Sequence, residues 1–550
     1  MKKKYIVVFC LLIISTVLFL VIKSPNNIDI PDEHIPLSTN AAGELQVSIK
    51  DFDAVGDGIS DDTKHIQHAI DYANNNKIKN IVIPEGYYMV SLDTLIGGRY
   101  TAISLHSNLK IEMLDGAIIE TIPTSMENYA IFNIFNCDSV SIEGGTIIGD
   151  RIGHLGTSGD HGMGINVFNS SNITISNINI KNCWGDGIYI GGLKNTHINK
   201  NVLVSDVNIR NCRRQGISVT KGEDITIKDS IIWNINGTAP QSGIDIETNW
   251  PDTPVKDVKI ENNTFYDNGI QDIVLGGKCE NVVISGNTFA ENTIEVHQIA
   301  INLVYGEHIT VTNNKVSGRS GGVFCRNTQN VDIFSNYITG YGENGIYQGT
   351  GVELCDNAQN INIYDNTMNN LSKGMTVVGV TGNVRNISVA KNIIENIQTD
   401  GFFGYQPVYG LIIKGNVIKN VISRYGIMLG GSNTDISDNL IENCGTEYII
   451  IGNGKTISIA NNEFIDKNRT TAENFISIGA GVQECVISNN SFTSDNSNKR
   501  VVKASWSTEY PVTIENNIST YTSMPFNVVK THILKNNIIG MRETTGDIKN

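Results

Sequence analysis

A chain of 550 residues would ordinarily divide into three or four domains, so a single-domain architecture requires a repeat that lengthens without enlarging a globular core. Apolar residues make up 40% of the chain and charged residues 18%, which excludes disorder and supplies material for a buried interior. The formal charge of −15, with no basic run beyond the first residues, excludes nucleic acid and an anionic membrane surface as electrostatic partners.

The N-terminus carries Lys2, Lys3 and Lys4, then a mostly apolar, uncharged run from Tyr5 to Ile22, then a polar segment with Pro25. This is the order of an export signal, with the positive end inside and the rest of the chain outside. The eighteen apolar-run residues would rise ~27 Å as a helix, close to a bilayer's hydrocarbon thickness, and no small-x-small cleavage site follows. Residues 1–23 are expected to be a signal anchor or, as the alternative, a cleaved signal peptide. Residues 24–48 then form a linker and 49–545 the folded domain, extracellular or at the cell surface. Membrane contact runs only through residues 5–22, if they are retained.

The segment DFDAVGDGISDDTKHIQHAIDYA, Asp51 to Ala73, places a helix start at Ser60 to Thr63 and sets Ile66, Ala69, Ile70 and Ala73 on one helical face. Such a helix would close one open end of a stacked fold, and its acidic residues are expected to serve as caps and turn formers. Farther along, Gly precedes an apolar alternation four times, at Gly164, Gly187, Gly216 and Gly243. With Ile and Val inward, Asn166, Tyr189, Ser218 and Asp245 would stack outward on one face, about 4.8 Å apart per coil.

From Asn263 onward a short strand pattern with a recurring Asn dominates: Asn287, Asn314, Asn336, Asn366, Asn416, Asn439, Asn462, Asn490, Asn517 and Asn537, mostly 22 to 30 residues apart. Upstream, Asn177, Asp206 and Asp229 are assigned the equivalent place. A repeat of two or three short strands cannot bury its apolar side chains alone and must stack on its neighbours, which predicts a β-solenoid. The recurring Asn is structural, suited to left-handed turns and to bonding the Asn one coil above. Eight cysteines follow the leader, none in a CxxC pair, and are expected to be buried free thiols.

The Asp51–Ala73 segment, with IVIPEGYYMV at Ile81–Val90, resembles the opening of pectate-lyase-superfamily proteins, the rhamnogalacturonase- and epimerase-like group. The resemblance continues through GDHGMGI at Gly159, NCWGDGIYIGG at Asn182, NCRRQGISV at Asn211 and NGTAPQSGIDIETN at Asn236. It implies an all-β fold, a single-stranded right-handed parallel β-helix with an N-terminal capping helix, and a polysaccharide as partner, acidic or neutral. The chain has no NTD signature followed by GHG and RIK, so the resemblance implies a fold and a ligand class without one activity.

Chemistry is expected between Asp160 and Lys278, the least repetitive stretch. Asp245 and Glu247, two apart on a strand, point the same way about 7 Å apart, a spacing suited to a glycosidase carboxylate pair. Asp186, two coils below, is the third catalytic candidate. Arg213, Arg214, Gln215, Tyr189, His161 and Trp250 are candidates for substrate binding, with Trp184, Asp272 and Lys278 in reserve. An Arg can grip a uronate bidentately or neutralise the acids, and His161 can be a base or a turn residue. The functional expectation is a glycoside hydrolase, without cofactor or metal. Its alternatives are a uronate lyase or C5-epimerase, in which Asp245 and Glu247 could hold Ca²⁺, and a non-catalytic glycan-binding surface module.

Overall fold

The computed structural model describes residues 37–544, apart from 250–252, 254, 292–297, 344–345, 379–382, 405–407, 468–469, 497, 505–509, 521–525, 529–531 and 541. The leader expected at 1–23 lies outside the described residues, among which no helix is long and apolar enough to cross a membrane.

The chain winds into a right-handed parallel β-helix of about 16 coils. Each coil contributes a strand to each of three parallel sheets. One sheet runs through Asn128–Phe135, His161–Phe168, Asp186–Gly191, Gln215–Val219, Ser242–Ile246, Gln271–Leu275 and Ile299–Leu303, each paired in register with the next. Phe132, Ile165, Ile188, Ile217, Ile244, Ile273 and Ile301 form one inward column of this sheet, fully removed from solvent. No coil could bury these side chains alone; stacking at ~4.8 Å per coil makes one continuous core.

The glycine before each apolar alternation has a steric cause. A Cβ at Gly216 would stand 2.4 Å from the Gly243 carbonyl oxygen, and one at Gly187 2.8 Å from that of Gly216. Successive backbones approach here too closely for any other residue.

The helix Thr63–Asn75 buries Ile66, Ala69, Ile70 and Ala73, the predicted face. Asp62 sits at its N-cap without capping it; its carboxylate accepts from the backbone nitrogens of Val55 and Gly56 and so ties down the preceding turn. Asp57 and Asp61 likewise accept backbone N–H groups of nearby turn residues. The strand Leu45–Ser48 already pairs in parallel with Asn80–Ile83, so the stack begins a few residues ahead of position 49.

From Asn263 to Asn537 each ladder Asn donates Nδ2 to the Oδ1 of the next at 2.9–3.1 Å, through every repeat named from the sequence and through Asn392 as well. These asparagines are buried and are not the left-handed residues. That geometry belongs to the residue before each, such as Asn262, Asn313 and Asn461, with φ of 55–57°. Asn177, Asp206 and Asp229 take this left-handed place, and Ser230, not Asp229, begins the ladder by donating its backbone N–H to Asn263 Oδ1. The upstream assignment was displaced by one residue, because the ladder position there is Ile178, Val207 or Ser230 and Asn or Asp stands only at the left-handed place before it. All eight cysteines are buried free thiols.

Candidate active site

The outward column of the first sheet reads Asn133, Asn166, Tyr189, Ser218, Asp245, Val274 and Asn302, in unbroken register. The stacking of Asn166, Tyr189, Ser218 and Asp245 is as expected from the sequence, but their exposure is not: all four are buried. Arg99 lies over Tyr189, Arg214 over Ser218 and Gln215 against Asp245.

Asp186, one position along the same face, is wholly buried. Arg214 Nε and Nη2 reach its two oxygens at 2.8 Å and 2.6 Å, and Ser218 Oγ donates to it at 2.7 Å. Burial disfavours the charged Arg214 guanidinium, but the Asp186 carboxylate outweighs it and raises the Arg214 pKa. Asp186 is thus a neutralised brace between two coils. Bracing was the alternative to membership of the acid set, and three hydrogen bonds from Arg214 and Ser218 engage the carboxylate.

Asp245 differs. Its Oδ2 accepts from the Gln215 side-chain amide one coil below, whereas its Oδ1 is buried with no protein partner. Burial, and then the neighbouring Glu247 charge, push its pKa up to about 7; Gln215 and Arg214 oppose the rise. Glu247 follows directly on the strand, half-buried, its backbone N–H bonded to the Val219 carbonyl. A Cβ built on Gly276, in the next coil, would lie 3.5 Å from Glu247 Oε2 and 3.6 Å from Asp245 Oδ1. These two contacts place the two oxygens no more than about 7 Å apart. Both carboxyl groups therefore border the same space above Gly276. Two carboxyl groups in unlike surroundings, one protonated near neutrality, can divide acid and base roles.

The arginines are committed inward. Arg213 lies 3.9 Å above the Trp184 ring and donates to the Gly159 carbonyl at 2.6 Å. His154 stacks on the same indole at 3.9 Å, so Trp184 is sandwiched and closed to a sugar ring. His154 Nδ1 meets Asp150 at 2.8 Å, and Asp150 also accepts from the Tyr129 hydroxyl. Arg214 is paired with Asp186, the neutralising alternative to gripping a substrate carboxylate, and Arg213 is held against Trp184.

Tyr189 bonds Thr220 at 2.9 Å and lies under the Arg99 guanidinium, 4.9 Å from its ring. It packs in a buried cluster with Ala130, Met163 and Phe168. His161 is part-exposed and contacts Asp160 at 2.6 Å, four residues before Ile165 and away from the Asp245 coil. Asp272 is locked to Arg319 with both side chains buried, and Lys278 is exposed. Trp250 lies outside the described residues.

Sequence reasoning missed Arg99, the Tyr129–Asp150–His154 chain and Gly276. The first arrives from a distant hairpin, Thr94–Ile96 with Arg99–Ser104, which no local pattern announces. Asp150 and His154, four apart in a long non-repetitive insertion, did carry a signal.

Two family models match parts of the chain: periplasmic copper-binding protein (NosD) over residues 208–401, and rhamnogalacturonase A/epimerase, pectate lyase-like, over 46–104. The uncharacterized protein YclG of Bacillus subtilis (strain 168) is 25% identical over 484 residues, 82% of this chain and 80% of that one. Among solved structures, the A-module of Azotobacter vinelandii mannuronan C-5 epimerase AlgE6 superposes with a TM-score of 0.53 at 19% identity, covering 72% of this chain and 98% of the module. Pre-mature bacteriophage phi29 gene product 12 gives 0.58 at 14% identity, covering 91% of this chain and 76% of that chain. The pectate-lyase-like fold resemblance holds across sequence and structure.

Among the described residues no group of three or more His, Cys, Asp or Glu side chains converges as a metal site would need.

Proposed function

We propose that the protein is an exported glycoside hydrolase acting on an uncharged polysaccharide, with Asp245 as general acid and Glu247 as its partner carboxylate. One observation carries this reading: a buried Asp245, its pKa at about 7 and one oxygen unpartnered, borders the same space as Glu247. Asp245 donates its proton to the glycosidic oxygen as the bond to the anomeric carbon breaks. Glu247 meets the developing positive charge and either draws a proton from water or attacks directly; product stereochemistry separates the two. Export is supported by the leader pattern, and by the match to a family model described as periplasmic.

The uncharged class follows from the arginines. A uronate lyase or epimerase must neutralise a substrate carboxylate, and Arg213 and Arg214 are already engaged. Incubation of the purified protein with neutral and acidic polysaccharides tests the reading. New reducing ends without ultraviolet-absorbing products are expected, abolished in Glu247→Gln. Unsaturated products would make the protein a lyase, and glycan binding without turnover on any polymer would make it a binding module.

A further inference from the structure

The same outward face continues in unbroken register from Asp245 through Val274, Asn302, Phe324, Glu353, Thr376, Phe403, Met428 and Ile450 to Ser477. Nine coil steps at ~4.8 Å place Ser477 roughly 43 Å from the acid pair along the axis. There the face opens into a groove of about 520 Å³, bordered by Tyr425, Thr446, Glu447, Ile450, Glu473 and Ser477.

Two polar atoms in this region lack the partners that burial demands. Ser477 Oγ, on a residue 2% exposed, and Asn474 Oδ1, on a residue 1% exposed, make no hydrogen bond within the protein. An unmade bond at a buried polar atom is costly, and a ligand hydroxyl that makes it recovers that cost. Two arginines beside the groove have acidic partners, and one acid has an amide donor. Arg424 meets Asp400 at 3.2 Å, Arg500 meets Glu473 at 3.5 Å, and Glu447 accepts from Asn474 Nδ2 at 2.8 Å. Arg424 also lies 4.9 Å from the Tyr425 ring, which steadies that part-exposed aromatic at the groove's edge.

We propose that this groove is a second saccharide subsite, taking an uncharged, hydroxyl-bearing stretch of the same polymer with a sugar ring against Tyr425 and a hydroxyl on Ser477. The inference rests on the polysaccharide reading above, though not on its hydrolytic chemistry. A flat ring and an unpartnered hydroxyl suit an uncharged sugar. The separation from the acids means that only a long chain can occupy both places. Simultaneous occupancy raises affinity by effective concentration, so polymers are bound better than short oligosaccharides.

Affinity electrophoresis of the full chain in native gels containing xylan, barley β-glucan, galactomannan or polygalacturonate tests this. At least one neutral polymer should retard the protein. Tyr425→Ala and Ser477→Val should each weaken that retardation at least fivefold, equally in the wild-type and Glu247→Gln backgrounds, while Tyr425→Phe retains it. Thr446→Arg, an exposed rim change that obstructs the groove without entering the core, should weaken it too. Retardation unaffected by these changes, absent with every neutral polymer, or seen with polygalacturonate alone would overturn the proposal. Groove-dependent retardation without hydrolysis would count against the hydrolase reading and leave the subsite standing; hydrolysis with groove-independent retardation would do the reverse.

Discussion

Arg214 holds Asp186 through paired hydrogen bonds from Nε and Nη2, with the carboxylate wholly buried between two coils. The pair fixes Ser218 as well, and so sets the wall against which Gln215 and Asp245 are placed one coil on. Arg214→Ala leaves a buried charge without its partner, so a loss of about 3–5 kcal/mol is expected by chemical unfolding. Arg214→Lys should recover only part of it, because an ammonium cannot fill both oxygens in the plane of a guanidinium.

Asp245 gives a pH signature in stability. Its folded pKa of about 7 lies above the ordinary carboxylate value, so the folded state holds a proton that the unfolded chain has released. Stability from this group is full in acid and falls as pH rises from about 4 through 7. Asp245→Asn should therefore be more stable than wild type at pH 8, by on the order of 2–4 kcal/mol, with the gap closing towards pH 4. Equal thermal unfolding of the two proteins at pH 8 would contradict the burial argument.

The same proton governs turnover under the hydrolase reading. Activity should decline on the alkaline side with a midpoint near 7, as the general acid ionises. Gln215 stabilises the ionised form, so Gln215→Leu should move that limb to higher pH. A pH–rate profile with its alkaline limb unmoved would separate Asp245 from the proton transfer.

Gly276 is the floor between the acids. A methyl there meets Glu247 and Asp245 oxygens at ordinary contact distances, so Gly276→Ala should fold normally. It should still lower turnover by about tenfold, because the space for the reacting bond is narrowed where small displacements are costly. Normal activity in this variant would place the reaction elsewhere.

Asn439 represents the ladder. Its side chain accepts from Asn416, donates to Asn462 and donates to the Ile413 carbonyl. Asn439→Ala strands partners in both adjoining coils, and about 2–4 kcal/mol should be lost. Because each coil rests only on its neighbours, faster hydrogen exchange should appear near residues 411–463 and not in the Asp186 coil.

The β-helix was legible because its cause is local and repeated: β-branched alternation, a small polar turn and a glycine recur until stacking is the only way to bury the apolar residues. The capping helix was legible for the same reason, its buried face being written at helical spacing between Ile66 and Ala73. Which of two adjacent turn residues carries the ladder was not, since Asn suits both the left-handed place and the stacked one.

The sequence by itself determined that Asp245 and Glu247 share a face and that Asp186 lies two coils away. Only the tertiary structure decided their fates. Asp186 was neutralised by an arginine 28 residues on, while Asp245 was left buried with one oxygen unpartnered. Period and polarity dictate where a side chain points, but desolvation and pairing depend on what distant coils and insertions lay over it. Trp184 shows this most directly: its place in the repeat is written locally, and the His154 and Arg213 planes that close both its faces are not.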